Sequence, residues 1–536
     1  MLFTSLNYLF FFVAAVGIFF SLPHRFRWMF LLVVSYFYYM WLDPRYGILI
    51  GTTTIVVYIT ALMMQGKSAL IKKLLAAASL ISNLSILFVL KYYNFFNNSL
   101  RELFTAVGLS YNIPEFSLLM PIGISFYTFQ ALSYTMDVYR GTRLPERNFG
   151  LFALYVSFFP VLLSGPIERS TTLLPQFYKK VEFNYERVTD GLKLMAWGFF
   201  QKVVIADRLS MYVNIVYSQP QMVQGLPLLA ATYFLVFQVY CDFAGYTDIA
   251  IGTAQVMGYE LLPNFRRPFF SQSISEFWRR WHMTLISWLR DYLNIPLGGN
   301  RVSKLRWYFN ILLVFTVSGL WHGAQWTFVI WGAMNGVFII ISRLTQTVRD
   351  RIKGKIFSGI AIIPAVVYFT LCAAFITFAV LGGMFGAASA TARIAAAAGG
   401  LALCGLGILR MQRDMFDRFL NSVRKIWMIF VTFHLFMFGG VFFRSQNLAD
   451  AWYIITQFPG LNFSEIKLFF KTDEILLMVG LIIFLIIIHL IQERRGSIRQ
   501  QLRTKPLVIR WVIYYLFVIS LFLGMYKTSQ FFYFQF

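Results

Sequence analysis

Cysteine is scarce in this chain, with three in 536 residues, and Cys241, Cys372 and Cys404 stand in apolar surroundings without a CxxC spacing. That excludes a disulfide framework and a thiolate zinc site and leaves them as small core residues; no metal is expected. Charge is scarce as well: 13% of residues are charged and 58% hydrophobic, whereas a soluble globular domain carries about 25% charged residues. No polar stretch is long enough for a separate soluble domain, so residues 1–536 read as one membrane-embedded unit. Acidic residues are the scarcer sign, 23 against 47 Lys and Arg for a formal charge of +24. In a membrane protein that excess marks cytoplasmic loops rather than a nucleic-acid partner. A GxSxG elbow, an HExxH pair and a Walker loop are all missing, which withdraws support from serine hydrolases, zincins and P-loop machines.

What the chain has is apolar runs long enough to cross a hydrocarbon core of about 30 Å, recurring from end to end. They predict an all-α polytopic membrane protein with roughly 11–14 transmembrane helices, plus re-entrant and amphipathic helices. The first run, 6–22, has no basic residue before it and His24, Arg25 and Arg27 after it. This is the reverse of a secretory signal, so a retained first span with its N-terminus outside is expected. Spans near 28–42 and 46–64 then bring Lys67, Lys72 and Lys73 inside, and spans near 74–92 and 121–137 return the chain to Arg140, Arg143 and Arg147. Between 149 and 260, Gly165-Pro166, a polar stretch from Glu168 to Lys193 and the run CDFAGYTD with Asp242 and Asp248 interrupt the hydropathy. Polar backbone at that depth is tolerated only inside protein or beside water, so broken or re-entrant helices are expected there. The last span, near 507–524, leaves a basic loop and puts the tail MYKTSQFFYFQF outside.

Histidine is rare too, five in all, yet His282 in WRRWH and His322 in WHG both fall beside apolar runs. An ionisable side chain at membrane depth is costly, which makes function its default reading. Wound as one helix, 276–290 places Trp278, Trp281, His282, Leu285, Trp288 and Leu289 on one arc and Glu276, Arg279, Arg280 and Arg290 on the other. That pattern suits a surface helix leading into a cavity; an interfacial anchor is the plainer reading of Trp288 and Arg290. Arg266, Arg267, Arg279, Arg280, Arg301, Lys304 and Arg306 gather cationic charge at one apolar entrance, as a phosphate-bearing donor such as a coenzyme A thioester requires. His322, between Leu320-Trp321 and Gly323 with a span on either side, is expected to be desolvated, which favours the neutral imidazole. For one such histidine alone a structural hydrogen bond is the simpler role; two of them beside tryptophans and a basic entrance suggest direct transfer. A histidine base would take a proton from a hydroxyl as its oxygen attacks a thioester, with a second polar group steadying the oxyanion.

PIGISFYTFQALSYTMDVYRG (121–141), LSGPIER (163–169), YCDFAGYTDIAIG (240–252), ISEFWRRWHMTLISWLRDYL (274–293) and LWHG (320–323) together resemble the membrane-bound O-acyltransferase family, and within it the bacterial alginate O-acetyltransferase branch. The matching blocks run in order over 121–340. The resemblance implies helices around a central funnel, where a cytoplasmic acyl donor, acetyl-CoA, meets an extracytoplasmic acceptor at a catalytic histidine. By motif that histidine is His322, with His282 as the second. Trp278, Arg279, Arg280, Trp281 and Trp321 become candidate substrate-binding residues; Gln130 and Asp242 join them, although packing and polar networks are the first reading for both, as for Tyr127, Tyr246 and Asp248.

FFYFQF (531–536) resembles a C-terminal motif of bacterial polysaccharide acylation systems in which a tyrosine carries the acyl group onward, here Tyr533 in the tail 525–536. A phenol is a workable oxygen nucleophile, and an aromatic anchor at the outer interface is the rival reading. The implied setting is the bacterial cytoplasmic (inner) membrane, with a polysaccharide acceptor and an extracytoplasmic, SGNH-hydrolase-like acetyltransferase as partner. The alternatives are a transporter of an acyl donor or a polysaccharide precursor, using Asp242 and Asp248 as its pathway, and, within the family, D-alanyl, lipid or protein acylation.

Overall fold

The computed structural model describes residues 1–116, 121–346, 413–458 and 471–524. Tyr533 with its tail, Cys372 and Cys404 lie outside the described residues. Within them the chain is helical and contains no strand. In order run α1 (Leu6–Ser21), α2 (His24–Met40), α3 (Tyr46–Met63), α4 (Ala69–Leu87), α5 (Tyr93–Ala106), α6 (Ile124–Tyr139), α7 (Phe149–Ser157), α8 (Phe159–Leu162), α9 (Tyr185–Phe199), α10 (Asp207–Ser218) and α11 (Leu226–Val256). They are followed by α12 (Ile274–Arg280), α13 (Met283–Leu289), α14 (Lys304–His322), α15 (Trp326–Leu344), α16 (Arg413–Arg444), α17 (Leu448–Gln457), α18 (Thr472–Arg495), α19 (Ile498–Arg503) and α20 (Leu507–Gly524). Seven helical stretches among the described residues are long and apolar enough to cross a membrane, and the protein is a multi-pass membrane protein.

Helix starts follow local chemistry. Ser5, Asn148, Asn184 and Asn447 each accept a backbone N–H from the first turn of α1, α7, α9 and α17, satisfying donors that have no partner within the helix. Leu6, Phe10, Val13 and many other apolar side chains stay exposed, as a lipid-facing belt requires. One end of the bundle is tied together by polar contacts. Arg27 donates to the Val181 carbonyl, Tyr58 to the Arg147 carbonyl, and Arg499 reaches Asp190 at 3.0 Å, with Gln255 on the same carboxylate. Arg27, Arg147 and Arg499 belong to basic loops that charge counting assigns to the cytoplasm.

The expectation of broken helices around CDFAGYTD is corrected: α11 passes through it without interruption for 31 residues. The carboxylates that suggested a break are paired by side chains instead. Lys202 Nζ lies 2.6 Å from Asp242 and 2.7 Å from Asp207, and Gln201 Nε2 donates to Asp248 at 2.8 Å. With those charges met, nothing forces the α11 backbone open. Within the expected 149–260 region the irregularity falls instead at Gly165-Pro166 and the polar stretch, in the 163–184 segment, and in a π-helical stretch, Phe200–Ala206, that joins α9 to α10 and carries Lys202.

Two reciprocal glycine pairs let α9 and α11 meet backbone to backbone. A Cβ on Gly198 would stand 2.5 Å from the Gly245 carbonyl, and one on Gly252 would stand 2.6 Å from that of Gly191. Such approach is the usual way helices associate where no hydrophobic drive separates them from lipid. Gly198→Ala is therefore expected to cost about 1–3 kcal/mol of stability and to lower the thermal melt in detergent. Gly17→Ala, which meets open space, serves as the control; equal melts for the two variants would show that the α9–α11 contact is not tight.

Candidate active site

The single amphipathic helix expected over 276–290 is two helices, a second correction. Ser273 caps α12 by accepting the Glu276 N–H at 3.1 Å, while the Glu276 carboxylate accepts the Gln272 N–H at 2.9 Å. The helix stops at Arg280, and His282 takes the left-handed conformation, φ 43° and ψ 52°, before α13 begins. Left-handed backbone costs a non-glycine residue about 1–2 kcal/mol, and here neighbouring groups offset it. The Asn264 carbonyl accepts the Met283 N–H at 2.9 Å, its Oδ1 accepts the Thr284 hydroxyl at 2.6 Å, and the Arg280 carbonyl accepts the Arg266 N–H at 2.9 Å. The 163–169 motif braces the same corner: Ile167 N–H donates to Thr284 Oγ1 at 3.1 Å, and Glu168 accepts the Leu262 N–H at 2.7 Å. The expected arc survives the break, since Trp278, Trp281, His282, Leu285, Trp288 and Leu289 are buried and Arg279 and Arg290 exposed.

His322 is the last residue of α14, at the turn of a hairpin with α15. Gly319 and Gly332 hold the hairpin closed, since a Cβ on either would stand within 2.3 Å of a carbonyl across the interface. The two imidazoles come together with ring centroids 6.3 Å apart. Both are buried, His282 1% and His322 5% exposed, at the seam between two apolar cores. Phe243 lies 4.7 Å from His282, Trp331 and Phe443 lie 5.1 and 5.3 Å from His322, and Trp321 touches both. Beside His322 is a cavity of about 20 Å³ walled by Leu235, Val239, Trp281, Trp331, Phe436 and Phe443, among others. That is room for about one methyl-sized group.

Asn264 also sets the chemistry of His282. Its Oδ1 already accepts from Thr284, and it lies 3.3 Å from His282 Nδ1. An amide oxygen offers only lone pairs, so Nδ1 carries the proton and Nε2 keeps its lone pair. That Nε2 is buried without a hydrogen-bond partner among the described residues. It can accept a proton or a hydrogen bond and cannot donate one. The indole N–H groups of Trp321 and Trp331 are likewise buried and without a partner among the described residues. The site thus combines an imidazole acceptor with two donors in an apolar enclosure.

Other candidates are placed apart from this centre. Trp278 packs 5.8 Å from Trp331, and Arg280 pairs with Glu276 and with Glu493 of α18. Gln130 donates to the Tyr155 carbonyl, and Asp242 is held in the Lys202 cluster. Asn264, Trp331 and Phe443 escape sequence reasoning. Asn264 had a signal of its own, a lone amide opening the NFRRP run, whereas Phe443 is one of many phenylalanines and carries none.

Residues 147–386 match the model of the membrane-bound O-acyltransferase family. Over 346 residues the chain is 38% identical to the "Probable alginate O-acetylase AlgI" of Azotobacter vinelandii, covering 64% of this chain and 69% of that protein. The chain belongs to the membrane-bound O-acyltransferase family. This acyltransferase is also similar to the "Peptidoglycan O-acetyltransferase" of Helicobacter pylori, 33% identical over 59% of this chain and 64% of that protein. Its similarity to the "Teichoic acid D-alanyltransferase" of Streptococcus thermophilus is 31% identity over 49% of this chain and 66% of that protein. The aligned regions span about two thirds of each relative.

Burial raises the Glu168 carboxyl from an ordinary 4.5 to about 7, with the Leu262 N–H, a Thr172 bond and Arg169 pulling the other way. Between those values the folded acyltransferase holds a proton that the unfolded chain has released. Its stability therefore falls as pH rises from about 4.5 to about 7 and levels off above. Thermal melts in detergent should show this slope in the wild type and a flatter one in Glu168→Gln; identical slopes would exclude Glu168 as the titrating group.

Proposed function

We propose that this acyltransferase takes an acetyl group from a cytoplasmic thioester, acetyl-CoA, and passes it across the bacterial cytoplasmic membrane toward an exported polysaccharide. The observation that carries the reading is the pair of buried imidazoles, one of which, His322, lines a cavity with room for one methyl group. His322 acts as base: it takes the proton of the attacking hydroxyl, the oxygen bonds to the thioester carbonyl carbon, the C–S bond breaks, and the proton passes to the departing thiolate. That hydroxyl has only one proton, which His322 takes, so His282 does not bond to it; His282 lines the channel beside it, with Nε2 able to accept from a different donor of an incoming substrate. Trp321 and Trp331 offer N–H groups to the carbonyl oxygen, where negative charge develops.

The cavity also bears on the acyl group. Its lining residues are apolar apart from His322, and a D-alanyl group brings an ammonium that would need a carboxylate there. Acetyl fits without one. The names of the alginate and peptidoglycan O-acetylating relatives agree with that choice of acyl group. Arg279, which is exposed, meets the phosphates of the donor, while Arg280 is held beside it by Glu276 and Glu493.

Tyr533 receives the acetyl group from the centre as a phenyl ester and hands it to an extracytoplasmic, SGNH-hydrolase-like acetyltransferase, which esterifies the polymer. Two variants test these roles in cells lacking the endogenous enzyme, read as base-releasable acetate on exported polysaccharide. His322→Ala is expected to lose about 100-fold or more of the acetylation while remaining inserted at wild-type level; normal acetate would end the base assignment. Tyr533→Phe keeps the aromatic ring and removes the nucleophile, so it should lose polymer acetate too, and a wild-type level would leave the tail as an anchor.

A further inference from the structure

Lys91 stands in an apolar helix, yet its Nζ donates to the Trp321 carbonyl at 2.8 Å and reaches the His322 carbonyl at 3.3 Å, 230 and 231 residues away in sequence. Three observations make this more than a surface lysine meeting a loop. First, the stretch Ala69–Ala106 is apolar enough to span the membrane, and Lys91 lies near its middle. An ammonium there is retained only where it is met by protein or faces a polar space. Second, the helix is locally π-helical over Phe88–Tyr92, the turn that contains Lys91. A π-turn carries one extra residue, which rotates the side chains that follow by about 100° relative to a regular helix, and such turns concentrate at functional positions. Third, the carbonyls that Lys91 meets are the last two of α14. The chain beyond His322 is extended at Gly323, φ −160°, so those carbonyls have no N–H from a further helical turn. They also form the negative end of the helix dipole, which a cation stabilises.

We infer that Lys91 is a positioning residue for acyl transfer: its ammonium caps α14 from a neighbouring helix and thereby fixes His322 at the hairpin turn. This rests on the reading of His322 as base. The two imidazoles are borne by separate segments, and His282 is braced through Asn264 and Thr284. Lys91 supplies the corresponding brace for His322. Two of its three N–H bonds are directed at the α14 carbonyls, which tie the backbone of His322 itself, so its loss frees the imidazole to move relative to His282 without dismantling either apolar core. Positional errors on the order of 1 Å cost about 100-fold in well-oriented reactions.

The test uses the full chain in cells lacking the endogenous enzyme, with base-releasable acetate normalised to inserted protein, and thermal melts of the purified variants in detergent. Lys91→Met keeps the stem and removes the charge and donors; it should lose at least tenfold in acetate while melting no more than a few degrees below wild type. Lys91→Arg restores donors for both carbonyls and should recover part of the loss. Wild-type acetate in Lys91→Met overturns the proposal. So does a loss matched by a large drop in melting temperature that Arg leaves uncorrected, since that marks simple structural support. His322→Ala run alongside separates the two readings. If it is inactive while Lys91→Met is normal, only the Lys91 proposal fails; if it is fully active, the base assignment fails first.

Discussion

A helix interrupted at bilayer depth exposes peptide groups that hydrocarbon cannot solvate, and each such interruption has to bring its partners from elsewhere in the protein. Both imidazoles of this acyltransferase stand where a helix ends in the buried interior of the protein. The break at His282 is satisfied by the Asn264 carbonyl and side chain together with Thr284, and the end of α14 at His322 is met by Lys91. The groups that make these interruptions tolerable are therefore the ones that aim the imidazoles. Precision at the site follows from the same requirement that lets the helices stop there.

The electrostatic layout complements that geometry. The buried cations Lys202 and Lys91 are each met by protein groups, Lys202 by Asp207 and Asp242 and Lys91 by the Trp321 and His322 carbonyls. The walls around the imidazoles are aromatic and aliphatic. In such a setting a partial charge that develops during reaction meets fixed dipoles instead of mobile water, and a few well-placed N–H groups act strongly on it.

Much of this was legible in the sequence because scarcity made it so. Two histidines beside apolar runs were conspicuous among five, and α1, α3 and α6 match apolar stretches whose ends are marked by basic residues or proline. The family blocks carried the site residues by motif. What stayed hidden depends on residues remote in the chain. Asp248 reads as a helix breaker because its partner Gln201 lies 47 positions earlier, and the break at His282 depends on an asparagine 18 positions away. Periodicity sees neither. The burial of the Trp278–Leu289 arc came through correctly even though the helix did not, since a one-residue left-handed step changes the backbone path more than it changes which side chains face inward.

Glu493 of α18 accepts from both Arg267 and Arg280, across separations of 226 and 213 residues. Polypeptides enter the membrane from the N-terminus onward, so these two arginines are made and inserted long before the carboxylate that neutralises them exists. During that interval Arg280 has Glu276 alone and Arg267 still awaits its carboxylate, so the segment leading to His282 is held less firmly than in the finished protein. Closure of the site is thus one of the last events of biosynthesis, and the helix that completes it contributes order rather than chemistry: an incomplete chain has its imidazoles but not the clasp that settles the strand of protein bearing one of them.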